Sequence, residues 1–396
     1  MIMKANRRDW LKTSLMTIGG MAIAPHLSYS ETPRVSISPD ANGDFQYSPF
    51  FKEFVPQIKI DRNLALARLM ANENPYGPSP MGLEAFTKAA ASGNRYAWSE
   101  LFALIDKIAA KEGVTAENIL MGPGSSDILE KVGMVFFLEG GNIVSADPSY
   151  MSMMKVAEAI GATWKGVPLK KDWSHDLKAM EKAIDADTKL VYICNPNNPT
   201  GSLTDFDELR DFCSRVSDRV PVFVDEAYLD FLDEPEKKSM VDLVARGKNV
   251  IVARTFSKIY GMAGLRVGYG VGLTETMARL SKITRGGMGI SYPSVYAATA
   301  ALDDSAFIKK SKDLNTETRE YVCGELKKMG IKYVPSYTSF VIFPIEMDGQ
   351  EYLSAMQAEG VLVRAFEFMG QKWCRVSMGT MDEMKQFVGA FKKVTA

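Results

Sequence analysis

From about residue 70 the chain alternates short apolar runs with longer segments in which apolar residues recur every three or four positions. The runs "NIVSADP" (142–148), "KLVYICNP" (189–196), "VPVFVDEAY" (220–228) and "NVIVART" (249–255) end in turn formers or polar residues and read as buried strands. Between and around them, "DILEKVGMVFFLE", "MSMMKVAEAIGA", "DLKAMEKAI" and "FDELRDFCSRV" carry helical periodicity. Apolar strands separated by helices predict crossover units and a mostly parallel sheet covered on both faces. Past about residue 290 the pattern changes. A long charged helix, "FIKKSKDLNTETREYVCGELKKMG", precedes "SFVIFPI", a helical "GQEYLSAMQAEG", the strands "VLVRAF" and "WCRVSMG", and a closing helix. The expectation is an α/β fold with a large domain over 71–290 and a smaller α+β domain over 291–396. Residues 31–70 include the turn-rich "SISPDANGDFQYSPFFKEFVPQ" and read as an N-terminal arm or linker.

Residues 1–30 follow another pattern. "NRRDWLKTSLMTIGGMAIAPHLSYS" opens with Arg7 and Arg8, passes Leu11 and Lys12, and enters an apolar stretch of about a dozen residues, short of a bilayer span. The segment resembles a twin-arginine export signal, with Asn6 and Trp10 standing where the usual pattern has Ser or Thr and Phe. That resemblance implies the twin-arginine export machinery as a partner and a periplasmic location. Cleavage is expected after Ser30, leaving no stable membrane insertion; an uncut segment would act as an anchor.

Composition narrows the chemistry. At 396 residues, with 46% hydrophobic and 24% charged residues, the chain suits a globular protein with more than one small core. A net charge of -1 offers no basic face for nucleic acid. The two histidines, His26 and His175, stand far apart, and Cys194, Cys213, Cys323 and Cys374 form no C-x-x-C pair. Neither a histidine-based triad nor a metal site is expected. The work falls to Lys, Asp, Tyr, Arg or a bound cofactor.

In open parallel sheets, ligands gather where strands end. "MGPGSSD" sets glycines and serines before a helix, an arrangement that holds phosphate. It is not a G-x-G-x-x-G, which disfavours a nicotinamide dehydrogenase. "VDEAY" places Asp225 at the end of an apolar strand, where a carboxylate needs a cationic partner. "RTFSKIYGMAGLRVGYG" adds Thr255, Ser257, Lys258 and Arg266. A phosphate suits Ser125, Ser126, Thr255, Ser257 and Arg266; a protonated ring nitrogen suits Asp225; an aldehyde suits Lys258. Pyridoxal 5'-phosphate carries all three groups on one ring.

Nine stretches then occur in family order: "ANENPYGPSP", "NRYAWSE", "GPGSSDIL", "DPSY", "NPNNPTG", "DEAY", "RTFSKIYGMAGLRVGYG", "VLVRAF" and "CRVSMG". Together they resemble the fold-type I pyridoxal-phosphate aminotransferases of class I/II, and within them the histidinol-phosphate aminotransferase group. The resemblance implies that Lys258 forms an aldimine with the cofactor and shuttles the substrate proton, and that Asp225 keeps the ring nitrogen protonated. It implies Asn198 and Tyr228 at the ring oxygen, Tyr150 on the ring face, and Arg266 on the phosphate. Arg375 matches the clamp for the substrate carboxylate, Arg364 a distal substrate contact, and Tyr76 a further substrate-binding position. Tyr96 matches a tyrosine that reaches the partner subunit's phosphate, so a homodimer with composite sites is expected; Ala97 follows where proline is usual.

The implied activity moves an amino group between a free amino acid and a 2-oxo acid. Clamping the carboxylate leaves the Cα–H bond facing Lys258, which favours transamination over decarboxylation. Racemisation and β-elimination begin with the same bond, so a decarboxylase, racemase or cyclising enzyme on the same scaffold is an alternative, and a non-catalytic binding module would retain the fold without needing Lys258 and Asp225 together. A genuine histidinol-phosphate aminotransferase is a further alternative. Against it stand the export-like leader, the missing aromatic motif before Arg68, and the divergent "RGGMGISYPS".

Overall fold

Uninterrupted apolar strands set the larger of two main sheets. The computed structural model describes residues 39–57, 67–283 and 286–395, so the export-like segment, residues 1–30, lies outside the described residues. Three short strands come first: β1 (Phe45–Ser48), β2 (Phe51–Phe54) and β3 (Ala67–Arg68). Seven follow: β4 (Ile119–Gly122), β5 (Asn142–Asp147), β6 (Thr163–Pro168), β7 (Thr188–Cys194), β8 (Val222–Asp225), β9 (Val250–Thr255) and β10 (Gly268–Val271). The last four are β11 (Phe340–Ile345), β12 (Val361–Leu362), β13 (Arg364–Phe368) and β14 (Gln371–Ser377).

The middle seven form one sheet in the order β4-β10-β9-β8-β7-β5-β6. The five strands from β6 to β9 in that order run parallel, while β10 is antiparallel to both neighbours. Alternate residues feed two cores, as a period of two requires. Val191, Val222, Val224 and Val252 pack with Leu104 and Phe212 on one face; Tyr192, Phe223 and Ile251 pack with Ile128 and Val132 on the other. The first face is covered partly by the helix Phe206–Val216, whose start is capped by the Asp205 carboxylate accepting from the Asp207 and Glu208 amides. The helix Ser125–Phe137 covers the second face and begins just past β4.

Glycine permits a close approach at that helix start. A Cβ on Gly268 of β10 would lie 2.3 Å from the Ser125 nitrogen and 2.5 Å from the Gly124 carbonyl carbon. Only a residue without a side chain lets β10 and the helix start meet there.

The second sheet is antiparallel, in the order β1-β2-β13-β14-β11. Two features differ from the sequence expectation. Part of the arm is folded into this sheet: Phe51 and Phe54 of β2 are buried, and the Phe51 ring lies 6.3 Å from that of Phe366. The run "VLVRAF" also breaks at Val363, so that β12 pairs with β3 and β13 joins the five-stranded sheet. A single apolar run carries no mark of such a change of partner. Both sheets lie in one compact unit, residues 37–396.

Candidate active site

The last residues of β7, β8 and β9, namely Cys194, Asp225 and Thr255, share the wall of a cavity of about 660 Å³. The parallel sheet explains this placement, because its strands deliver their following loops to one edge.

One end of the cavity is built for an anion. Ser125 and Ser126 open the helix Ser125–Phe137, and no side chain caps that start. Thr255 and Ser257 face the same space, with Arg266 beside them. Arg266 has a left-handed backbone, φ 55°, and donates from Nη1 to the Ala263 carbonyl at 3.0 Å and from Nη2 to the Pro123 carbonyl at 3.1 Å. Its guanidinium covers Gly124, where a Cβ would come within 2.2 Å of Nη2. Free helix-start amides, hydroxyls and a guanidinium together suit a phosphate group.

Asp225 and Lys258 lie deeper. Asp225 is 2% exposed; Oδ2 accepts from the Tyr192 hydroxyl at 3.1 Å and Oδ1 from the Ala227 amide at 3.1 Å. Among the described residues no cation stands at ion-pair distance from it, and burial pushes its carboxyl up to about 6. Lys258 Nζ donates to the Asn72 carbonyl at 3.2 Å. Burial, followed by the nearby Arg375 charge, lowers the lysine to about 8. An amine and an acid are thus both shifted towards neutrality in one cavity.

Arg375 is 6% exposed, donating from Nη1 to Asn198 Oδ1 at 2.6 Å and from Nη2 to the Met70 carbonyl at 3.1 Å. Its guanidinium lies 5.2 Å from the ring centroids of both Phe340 and Phe366, and burial lowers it to about 10. Its Nε remains buried and without a hydrogen bond. Tyr228 receives a hydrogen bond from Asn72 Nδ2 at 2.9 Å. Tyr150 and Arg364 also line the cavity.

Two predicted site residues stand elsewhere. Tyr76 lines a small separate recess with Phe231 and Ser311 rather than the main cavity of its own chain. Pro75 and the turn through Gly77 carry the chain away from the main cavity, although Glu73 touches both spaces. Tyr96 is 71% exposed and lines a different surface cavity with Gly287 and Ile290, so it does not reach the site of its own chain.

Other cavity residues and their supports escaped the sequence reading. Asn72, inside the quoted "ANENPYGPSP", joins Lys258, Tyr228 and Ser377; the Ser377 hydroxyl donates to its Oδ1 at 2.7 Å. Its left-handed φ of 54° is invisible in sequence, though asparagine is among the residues that tolerate it. Tyr192 is a hydroxyl within the apolar run Leu190–Cys194, a signal that could have flagged a buried polar partner. Glu53 and Tyr47 come from the arm, where only the three-dimensional pairing of β2 with β13 brings them to the cavity.

The site fits pyridoxal phosphate on three independent counts. The helix start at Ser125 is uncapped beside Arg266; Asp225 is a buried carboxylate lacking a cation; and Lys258 carries a depressed amine in the same cavity. Residues that would hold the group therefore line this one cavity.

Comparisons with known proteins agree. Residues 66–391 match the family "Aminotransferase class I and II". A histidinol-phosphate aminotransferase of Moorella thermoacetica is 36% identical over 346 residues, covering 86% of this chain and 89% of that protein. Another, from Caldicellulosiruptor saccharolyticus, is 33% identical over 343 residues, covering 86% and 95%. The crystal structure of histidinol-phosphate aminotransferase from Sinorhizobium meliloti in complex with pyridoxal-5'-phosphate aligns with a TM-score of 0.77 at 28% identity, covering 84% of this chain and 91% of that one. The fold is that of the fold-type I aminotransferases, and the chain belongs to the class I and II aminotransferase family.

Proposed function

We propose that the chain is a pyridoxal-phosphate-dependent aminotransferase of the histidinol-phosphate aminotransferase type, moving an amino group between a free amino acid and a 2-oxo acid. The carrying observation is the single cavity that unites Lys258, Asp225, Arg375 and the anion cradle at Ser125 and Arg266. Bound pyridoxal phosphate supplies an aldehyde and a ring that takes up the electron pair left by Cα–H cleavage. Ser125, Ser126, Thr255, Ser257 and Arg266 hold its anionic tail. Asp225 holds a proton at the ring nitrogen, and so gains the cation it lacks. Tyr228 and Asn198 would serve the ring oxygen, and Tyr150 would lie against the ring. Arg375 grips the substrate carboxylate through its fork. Lys258 Nζ, neutral above about pH 8, takes the proton from the substrate Cα.

A second reading has histidinol phosphate as the amino donor, favoured by the names of the relatives from Moorella and Caldicellulosiruptor. The two readings share every residue above and differ at the distal end of the cavity.

Assembly and location belong to the same proposal. Tyr96, Trp98 and Phe102 are 71%, 56% and 61% exposed around the start of one helix, an apolar patch that a second copy of this chain would cover. Tyr96 of each copy then completes the phosphate site of the other. The leader at Arg7 and Arg8 is consistent with twin-arginine export to the periplasm. Among the described residues no helix is long and apolar enough to cross a membrane.

Five outcomes are expected. In a screen of free amino acids and histidinol phosphate against several 2-oxo acids, the wild-type protein releases a new 2-oxo acid from free amino acids. Lys258→Ala keeps its fold by circular dichroism but drops to background, and borohydride no longer fixes the cofactor to the chain; retained turnover contradicts the role of Lys258. Asp225→Asn tests the buried acid. Because burial raises the folded pKa to about 6, the native state carries a charge penalty that is absent at low pH, grows from about pH 4, and is complete above about pH 6. The cofactor-free variant is therefore more stable than wild type at pH 8, by up to about 3 kcal/mol, with the gain vanishing below pH 4. It also binds pyridoxal phosphate more weakly; equal melting temperatures at pH 8 would refute the desolvated carboxylate. Sedimentation velocity of residues 31–396 gives the mass of a pair, and a monomer at micromolar concentration rules out composite sites. Residues 1–35 fused to a reporter carry it outside the cytoplasm, with Arg7→Lys and Arg8→Lys together abolishing transit; a reporter that stays inside refutes export.

A further inference from the structure

We propose that Glu53 is a built-in counter-ion for Arg364, turning the distal half of the cavity away from substrates with a second anion and toward amino acids with an uncharged, largely apolar side chain. The inference rests on the aminotransferase reading and names its substrate class. In the antiparallel pair of β13 and β14, Arg364 stands directly opposite Arg375, so two guanidiniums share one side of the sheet. Left alone, such a pair would favour a molecule with two anionic groups, such as a dicarboxylate or a phosphate ester. The two arginines are not equivalent. Arg375 is tied to Asn198 and the Met70 carbonyl, with aromatic rings against its guanidinium. Arg364 Nη1 lies 3.5 Å from Glu53 Oε1, and its Nε and Nη1 are buried with no hydrogen-bond partner.

Glu53 is itself held in place. The Tyr47 hydroxyl donates to its Oε2 at 2.5 Å, and Tyr47 is 2% exposed. Both residues belong to the β1–β2 hairpin, residues 45–54, which precedes the family match beginning at residue 66. The hairpin thus brings a carboxylate to the arginine through the pairing of β2 with β13. The other cation on this side, Lys155, stands over the Phe45 ring at 3.5 Å and the Tyr47 ring at 4.9 Å. Tyr47, Phe51 and Phe366 add aromatic wall to the same cavity. A second anion entering here must displace Glu53 or lie against it, whereas an apolar side chain meets rings and a charge already balanced. Arg375 is left as the carboxylate grip.

Two carboxylates without an amino group test this by calorimetric titration of the protein loaded with pyridoxal phosphate: glutarate, with two anions, and 3-phenylpropanoate, with one anion and an apolar tail. Wild-type protein is expected to bind 3-phenylpropanoate about tenfold more tightly than glutarate. Glu53→Gln keeps the side-chain volume and removes the charge; it tightens glutarate about fivefold and leaves 3-phenylpropanoate within about twofold. Adding Arg364→Gln to that variant abolishes the gain, which a general loosening of the hairpin would not do. An unchanged ratio in Glu53→Gln, or glutarate bound by wild type as tightly as 3-phenylpropanoate, overturns the role of Glu53 and leaves the aminotransferase reading intact. No saturable binding of either compound overturns it together with the Arg375 grip.

Discussion

Asp225 ends a strand whose preceding residues, Val222, Phe223 and Val224, are wholly buried, so its carboxyl leaves water with the Tyr192 hydroxyl and the Ala227 amide to hold it. A carboxylate in that setting is costly as an anion unless a cation joins it. Nothing along β8 can move to relieve this, because β7 and β9 pair with it on either side. The site is in this sense incomplete by construction, and under the proposed function a protonated ring nitrogen would be the partner that completes it. Under that proposal, stability of the empty protein and affinity for the cofactor would pull in opposite directions at this one residue.

The cations around the cavity are arranged so that they do not neutralise Asp225 themselves. Arg266 is anchored to the Ala263 and Pro123 carbonyls at the phosphate end, and Arg375 to Asn198 and Met70. Lys258 lies between these ends, its amine tethered to the Asn72 carbonyl. Asn72 also donates to Tyr228 and exchanges hydrogen bonds with Ser377 at the end of β14, tying Lys258 to the five-stranded sheet. Positive charge crowded near the amine joins burial in lowering its pKa, so the anchored arginines also set the proton affinity of Lys258. Binding and acid–base chemistry therefore come from the same charges.

The hairpin of residues 45–54 extends the second sheet and brings a carboxylate to the cavity wall. Its pairing through β2 with β13 is an ordinary edge addition, supported by Phe51 against Phe366 and Phe368. The consequence is chemical, because the same two strands carry Tyr47 and Glu53 to Arg364. Function on this fold follows from what the loops and edges add to the common sheet.

Much of the site was legible because parallel sheets put ligand-binding groups at strand ends, and strand ends are visible as the point where an apolar run meets Asp, Lys or Gly. Asp225, Lys258, Thr255, Ser257, Ser125 and Arg266 were all found in that way, and the ordered stretches added Tyr150, Asn198, Tyr228, Arg364 and Arg375. Asn72, Tyr192, Tyr47 and Glu53 were missed, since a hydrogen bond or ion pair between residues far apart in sequence has no local pattern. The alternation of apolar runs by itself determined the layered sheet and the edge where chemistry gathers, because burial on both faces leaves a strand little choice of composition. Only the tertiary structure decided that the arm becomes part of the second sheet, that "VLVRAF" divides between two sheets, and that Tyr76 lies outside the cavity. Those outcomes depend on which edges and recesses remain open once the other strands have paired, and that competition is settled in space rather than along the chain.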